Sequence, residues 1–296
     1  KAVNLLSKSQ KAVLYMIGSV ICFSTMDLIV KYLNNVPFGQ VLFMRFFFGM
    51  IPIIFLIPRN KIFTFYKTKR PGLHAFRAVM GTIAIIALFV GLRNLPLADV
   101  ISLTFTGPLF VTIMSVIFLS EKVGIRRWSA VAIGFVGMLF IVRPAFEELN
   151  FYYIFPVIFS LGFANVAISI RSLSRTEPNY LIAFYFSILS LLVGLSTIVN
   201  GWIWPTPLEA FLFLLLGLAG GVANLLLTQS YRLADASLVS PIKYLSLIVA
   251  IMAGYFIFSE VPKIMTLFGA GLIVVSSFII FRREEVLKKQ VVVPRV

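Results

Sequence analysis

Of 296 residues, 60% are hydrophobic and 12% charged; 26 Lys and Arg outnumber 11 Asp and Glu, giving a net charge of +15 and a mean hydropathy of +1.00. Soluble domains carry about 25% charged residues, so the composition excludes a water-soluble fold and makes lipid the main solvent. One cysteine, Cys22, excludes an internal disulfide and a cysteine zinc cluster, and a single histidine, His74, argues against a histidine metal site; no metal or cofactor is expected.

A helix crosses the hydrocarbon core in about 20 apolar residues. Ten segments read as spans: 12–32, 38–57, 72–91, 97–119, 128–142, 151–170, 180–199, 208–230, 237–258 and 264–281. The first run is long enough to span and no small-residue cleavage site follows it, so it reads as a membrane helix rather than a signal peptide. Breakers mark the joints, among them Asn34-Asn35-Val36-Pro37, Pro58-Arg59-Asn60, Pro96, Arg143-Pro144, Glu177-Pro178, Pro205-Thr206-Pro207 and Val261-Pro262.

Charge sets the expected orientation. With the N-terminus inside, Lys31, Arg93, Arg143 and Lys263 fall on external joints and Arg45, Arg77 and Lys243 fall within spans; the other 19 of the 26 basic residues lie on cytoplasmic segments. That asymmetry is the positive-inside pattern, and it puts both termini in the cytoplasm. The excess of positive charge is then a topology signal, and no nucleic-acid partner is expected.

The chain also repeats. Sliding it by 139 residues brings Arg93 onto Arg232, Ser120 onto Ser259, Glu121 onto Glu260 and Arg143 onto Arg282. Each copy holds five spans, an odd number, so the second copy enters the membrane upside down. The expected fold is all-α: ten transmembrane helices as two inverted five-helix repeats, 11–144 and 151–283, followed by a cytoplasmic tail, 284–296. Inverted repeats of this kind are an architecture of secondary transporters, with the substrate site near the midplane.

The residues that punctuate the repeat resemble a known family. Leu95-Pro96-Leu97-Ala98-Asp99, Gly107-Pro108-Leu109-Phe110, Phe118-Leu119-Ser120-Glu121 and Gly134-Phe135-Val136-Gly137 look like the EamA module of the drug/metabolite transporter superfamily. The second copy matches through Ala234-Asp235-Ala236-Ser237, Ser240-Pro241-Ile242-Lys243-Tyr244 and Phe258-Ser259-Glu260. Within that superfamily the sequence looks most like the S-adenosylmethionine uptake carriers of obligate intracellular bacteria. The resemblance implies a multi-pass protein of a bacterial inner membrane, with the fourth and ninth spans near the pseudo-symmetry axis.

Charges inside spans are the sharpest local signals, because each costs about 2.5–3.5 kcal/mol at the bilayer centre. Asp27 either faces a central cavity, where it attracts a cation or titrates with a coupling proton, or pairs with Lys31 one turn on. Arg45 either holds a substrate carboxylate bidentately or, as an arginine at this place in EamA modules implies, ties helix ends together. Lys243, just past Pro241, either meets a carboxylate or snorkels to the interface.

Neutral candidates are Thr104, Phe105 and Thr106 in the fourth span, Phe163 and Asn165 in the sixth, Tyr185 in the seventh, Asn224, Thr228 and Gln229 in the eighth, and Tyr244 in the ninth. Of these, Phe105, Asn165, Tyr185, Asn224 and Tyr244 join Asp27, Arg45 and Lys243 as expected substrate contacts. Phe105 and Tyr244 sit beside the prolines of their spans, where a sulfonium could rest on a ring or an adenine stack. Asn165 and Asn224 have the plainer alternative of interhelical hydrogen bonding. Gly217 and Gly221 read as helix packing or a dimer seam, and Glu121 and Glu260 as caps or partners of neighbouring helix ends.

The leading functional reading is a secondary active transporter of a small metabolite, best S-adenosylmethionine taken up or exchanged. An exporter of amino acids, drugs or related metabolites is second. A membrane-embedded enzyme is the rival of another class, but neither H-E-x-x-H nor a phosphate loop occurs. A channel would need repeated pore-facing charges or a filter loop. The expected partners are the small-molecule substrate and the lipid bilayer, with the chain a monomer or homodimer.

Overall fold

Lipid offers no hydrogen bonds, so a spanning backbone must satisfy its own, and helices do so within one segment. The computed structural model describes residues 8–61, 64, 66–119, 124–147, 150–173, 176–233 and 240–292. Its α-helices are α1 (Lys8–Tyr32), α2 (Phe38–Phe55), α3 (Pro71–Asn94), α4 (Leu97–Thr104), α5 (Gly107–Leu119), α6 (Ile125–Glu147), α7 (Ile154–Leu173), α8 (Asn179–Ser196), α9 (Pro207–Leu233), α10 (Leu245–Phe258) and α11 (Ile264–Val292). Among the described residues, seven helical stretches are long and apolar enough to cross a membrane, and Trp128–Val142, Ile242–Phe258 and Ile264–Ile279 are shorter apolar helices. Together they account for the ten expected spans. The end from which α1 starts is termed inner and the opposite end outer.

The boundaries differ from expectation where proline intervenes. The fourth span is broken, α4 ending at Thr104 and α5 starting at Gly107. Pro108 has no N–H, and its ring crowds the carbonyl four residues back, which belongs to Thr104. The freed carbonyls find donors: the Ser160 hydroxyl lies 3.0 Å from Leu103 O and 3.3 Å from Thr104 O, and Ser277 donates to Phe105 O at 3.3 Å. Among the described residues of the ninth span, a 3-10 turn, Ser240–Tyr244, precedes α10. Arg143-Pro144, read as a joint, lies inside α6, and α11 runs on to Val292 through the stretch read as the start of the tail.

The packing has the symmetry of the repeat. α1 packs along α9 and α3 along α7, contacts that exchange when the two halves are swapped. So do α2 with α9 and α3 with α8, while α2 with α8, α4 with α10 and α6 with α11 map onto themselves. Single residues repeat the pattern. Phe105 and Tyr244, 139 positions apart, meet edge to face with centroids 5.0 Å apart. A Cβ on Gly134 would sit 2.7 Å from Ser276 Oγ, and one on Gly137 3.0 Å from Ile273, an exchanged pair under the same offset. A residue that touches its own counterpart lies on the two-fold, so the axis passes between Phe105 and Tyr244.

The main apolar core fills the outer half. Val30, Leu42, Phe46, Phe89, Leu92, Leu97, Val100, Ile141 and Phe213 belong to it. The smaller clusters, around Leu109 with Val131 and around Ala12 with Met16, lie toward the inner end. Polar links tie the outer ends together. Lys31 Nζ pairs with Glu260 Oε1 at 2.7 Å and donates to Leu95 O at 2.7 Å, and Glu260 Oε2 accepts from Leu97 N at 2.8 Å. Asp99 accepts from Thr266 and Tyr153. Glu260 thus pairs with a neighbouring helix start, as expected of it; Glu121 lies outside the described residues.

Candidate functional site

The expected site residues fall into separate groups. Phe105 and Tyr244 lie together on the axis, and Lys243 beside them holds its Nζ 5.7 Å from the centroid of Phe163. Lys243 is therefore directed to a ring of the sixth span as well as half-buried.

Asp27 and Arg45 form a second group. Both are buried, Asp27 at 9% exposure and Arg45 at 3%. Asp27 does not pair with Lys31, whose ammonium is taken by Glu260 on the second repeat; that local expectation is corrected. Instead Arg45 is the cation acting on Asp27, without an ion pair within 4.0 Å among the described residues, and Asp27 Oδ1 has no hydrogen-bond partner. Arg45 donates from Nε to the sulfur of Met26 at 3.2 Å and stacks over Phe46, 4.8 Å from its centroid. The guanidinium lies in mid-helix rather than at a helix end. Glycines make room for it: a Cβ on Gly220 of α9 would sit 2.2 Å from Arg45 Cζ, and one on Gly49 2.7 Å from Nη1. Gly217 and Gly221 meet α2 directly, their added Cβ falling 2.3 Å from Phe48 and 2.6 Å from Pro52. The glycine pair is thus a close contact between α2 and α9.

The two asparagines do not bond across helices. Asn165 donates to Leu161 O and Asn224 to Gly220 O, both at 3.0 Å and both on their own helix four residues back. The expected interhelical bond is replaced by this local one because the side chain reaches its own i−4 carbonyl. Asn224 nonetheless borders the Arg45 niche through Gly220. Tyr185 sits toward the inner end, its ring 4.8 Å from that of His74 and its hydroxyl donating to Tyr66 O in the joint before α3.

Residues not expected as substrate contacts extend the Arg45 group. Phe46 meets Phe186 of α8 edge to face at 5.1 Å, and Arg77 of α3 lies 4.2 Å above Phe186. Arg45, Phe46, Phe186 and Arg77 therefore form a cation–ring–ring–cation ladder across α2, α8 and α3, with Phe186 of the second repeat set between side chains of the first. Its one sequence signal is the spacing Arg45-x-x-x-Gly49 and Arg77-x-x-x-Gly81, in which each guanidinium folds back over a glycine. Chemically the ladder offers flat apolar faces between two cationic points, with the Asp27 carboxylate at one end.

An all-helical, lipid-spanning double repeat whose charged side chains turn between its halves defines a multi-pass membrane transporter. The chain belongs to the EamA-like transporter family, whose model matches residues 10–143 and 150–282. The relatives and the family are transporters, not enzymes. A protein of Rickettsia bellii named S-adenosylmethionine uptake transporter is 30% identical, over 92% of this chain and 94% of that one. A riboflavin transporter of Rhizobium johnstonii is 29% identical, over 94% and 93%, and a pseudopaline exporter of Pseudomonas aeruginosa is 27% identical, over 89% and 93%. A solved crystal structure superposes with a TM-score of 0.63 at 17% identity, covering 93% of this chain and 98% of the other, which supports the fold.

Proposed function

We propose that this transporter takes up S-adenosylmethionine, or exchanges it for a related metabolite, by alternating access across a bacterial inner membrane. The observation that carries the reading is the 30% identity to a protein of that name along nearly the full length of both chains. The site chemistry agrees with it. S-adenosylmethionine carries a carboxylate, two cationic centres and an adenine; the buried interior offers guanidiniums, the Asp27 carboxylate and paired aromatic faces. Asp27, Arg45, Phe105, Asn165, Tyr185, Asn224, Lys243 and Tyr244 are the proposed contacts, with the Phe105–Tyr244 pair on the axis. Each half, 11–144 and 151–283, acts as one rocking unit, both termini are cytoplasmic, and the chain works as a monomer or homodimer.

Thermal stabilisation of the purified protein tests the substrate. S-adenosylmethionine is expected to raise Tm in a saturable way, and Asp27→Asn to weaken that response without loss of folded yield. Stabilisation by riboflavin, with none by S-adenosylmethionine, would contradict the reading and favour the activity named for the Rhizobium relative.

A further inference from the structure

Arg77 is the surplus charge of the interior. Its side chain is buried at 7% exposure, and neither Nε nor Nη1 has a hydrogen-bond partner. Among the described residues no carboxylate lies within 4.0 Å of it. Glu177, a carboxylate at this end of the fold, is engaged elsewhere: its Oε1 accepts from the Thr68 hydroxyl at 2.7 Å and from Lys69 N at 3.1 Å. Arg70, the other guanidinium at this end, donates to Ser172 O at 3.0 Å. One turn inward on α3, His74 is buried at 1% exposure with both ring nitrogens unpartnered. Arg45, by contrast, uses Nε on Met26 and feels the charge of the buried Asp27, though from beyond 4.0 Å.

Burying an unpaired cation is costly, and an arriving anion offsets that cost. The Phe186 ring lies against the guanidinium, its centroid 4.2 Å from Cζ, and Gly81 leaves it space, since a Cβ there would sit 2.7 Å from Nη1. A rigid, flat guanidinium is the group suited to two carboxylate oxygens at once. Arg77 belongs to the first repeat and Phe186 to the second, so the position lies on a contact that alternating access would part.

We propose that Arg77, braced by Phe186 with His74 beside it, is the docking point for the carboxylate of the substrate, while Arg45 serves mainly to hold Asp27. The proposal rests on the carrier reading above, and it makes Arg77 the residue that selects amino-acid-like ligands over their carboxylate-free analogues.

The test compares apparent affinities by thermal stabilisation for S-adenosylmethionine and its decarboxylated form, and for a set of monocarboxylates each paired with its amide. In the native protein the acid is expected to bind at least about tenfold more tightly than its carboxylate-free partner. Arg77→Gln is expected to bring each pair to parity, Arg77→Lys to lose most of the preference, and Arg45→Gln to weaken both members of a pair alike. An unchanged acid preference in Arg77→Gln overturns the proposal, as does a native protein that does not distinguish acids from amides. If Arg77→Gln does not yield monodisperse protein, Arg77→Lys decides by the same ratio. A native protein that ignores S-adenosylmethionine yet prefers monocarboxylates, with the preference lost in Arg77→Gln, sinks the substrate reading and leaves the carboxylate site standing.

Discussion

Gly220 decides where the Arg45 guanidinium lies. Any side chain there would meet Arg45 Cζ at 2.2 Å and push the cation out of its niche beside Asp27. Gly220→Ala is expected to destabilise the protein by about 1–3 kcal/mol, the usual cost of overpacking, and to lower ligand affinity with it. Gly271→Ala is the control, because nothing lies within 4 Å of its added Cβ; thermal unfolding should separate the two. Asp27 and Arg45 were legible in the sequence, since charges within apolar runs stand out. Their partners were not. The helical i,i+4 rule offered Lys31 to Asp27, but Lys31 is bound by Glu260, 229 positions further on, and nothing along the chain announces that contact. Arg77 was visible as a third cation in a span. The ring beneath it comes from the other repeat, so periodicity could not supply it.

At the scale of elements, the outer ends of α1 and α10 and the start of α4 are held by one ion pair and its backbone bonds. Ser259 makes this possible. It ends α10 in the left-handed region at φ 55°, and Glu260 N turns back to Gly254 O at 2.8 Å, which aims the carboxylate across the repeat boundary. Glu260→Gln is expected to loosen the outer end. Spin labels at Tyr32→Cys and Val261→Cys, in a Cys22→Ser background, should report a longer, broader distance distribution than in the same protein with Glu260 intact. An unchanged distribution would show that apolar packing alone closes this end. Span positions were readable from hydropathy, and Pro108 was readable as a weak point; its consequence, a full break with carbonyls taken by Ser160 and Ser277, depends on neighbours distant in sequence. Pro144 misled because membrane helices accept proline when the freed groups find other partners.

The whole molecule is governed by its two-fold. The offset of 139 residues, first seen as four polar matches, reappears as Phe105 against Tyr244 and as the exchanged pairs Gly134 with Ser276 and Gly137 with Ile273. A five-span unit paired with its inverted copy has the architecture of an alternating-access carrier, and here the main apolar core lies in the outer half. Accessibility mapping is expected to place the Glu260 joint on the side opposite the N-terminus, and finding both on one side would contradict the inverted topology. The most direct test of the account is counterflow in liposomes. Vesicles loaded with unlabelled S-adenosylmethionine are expected to accumulate the labelled compound transiently, faster than empty vesicles and not at all with an unrelated metabolite inside. Equal, passive entry into loaded and empty vesicles would contradict it.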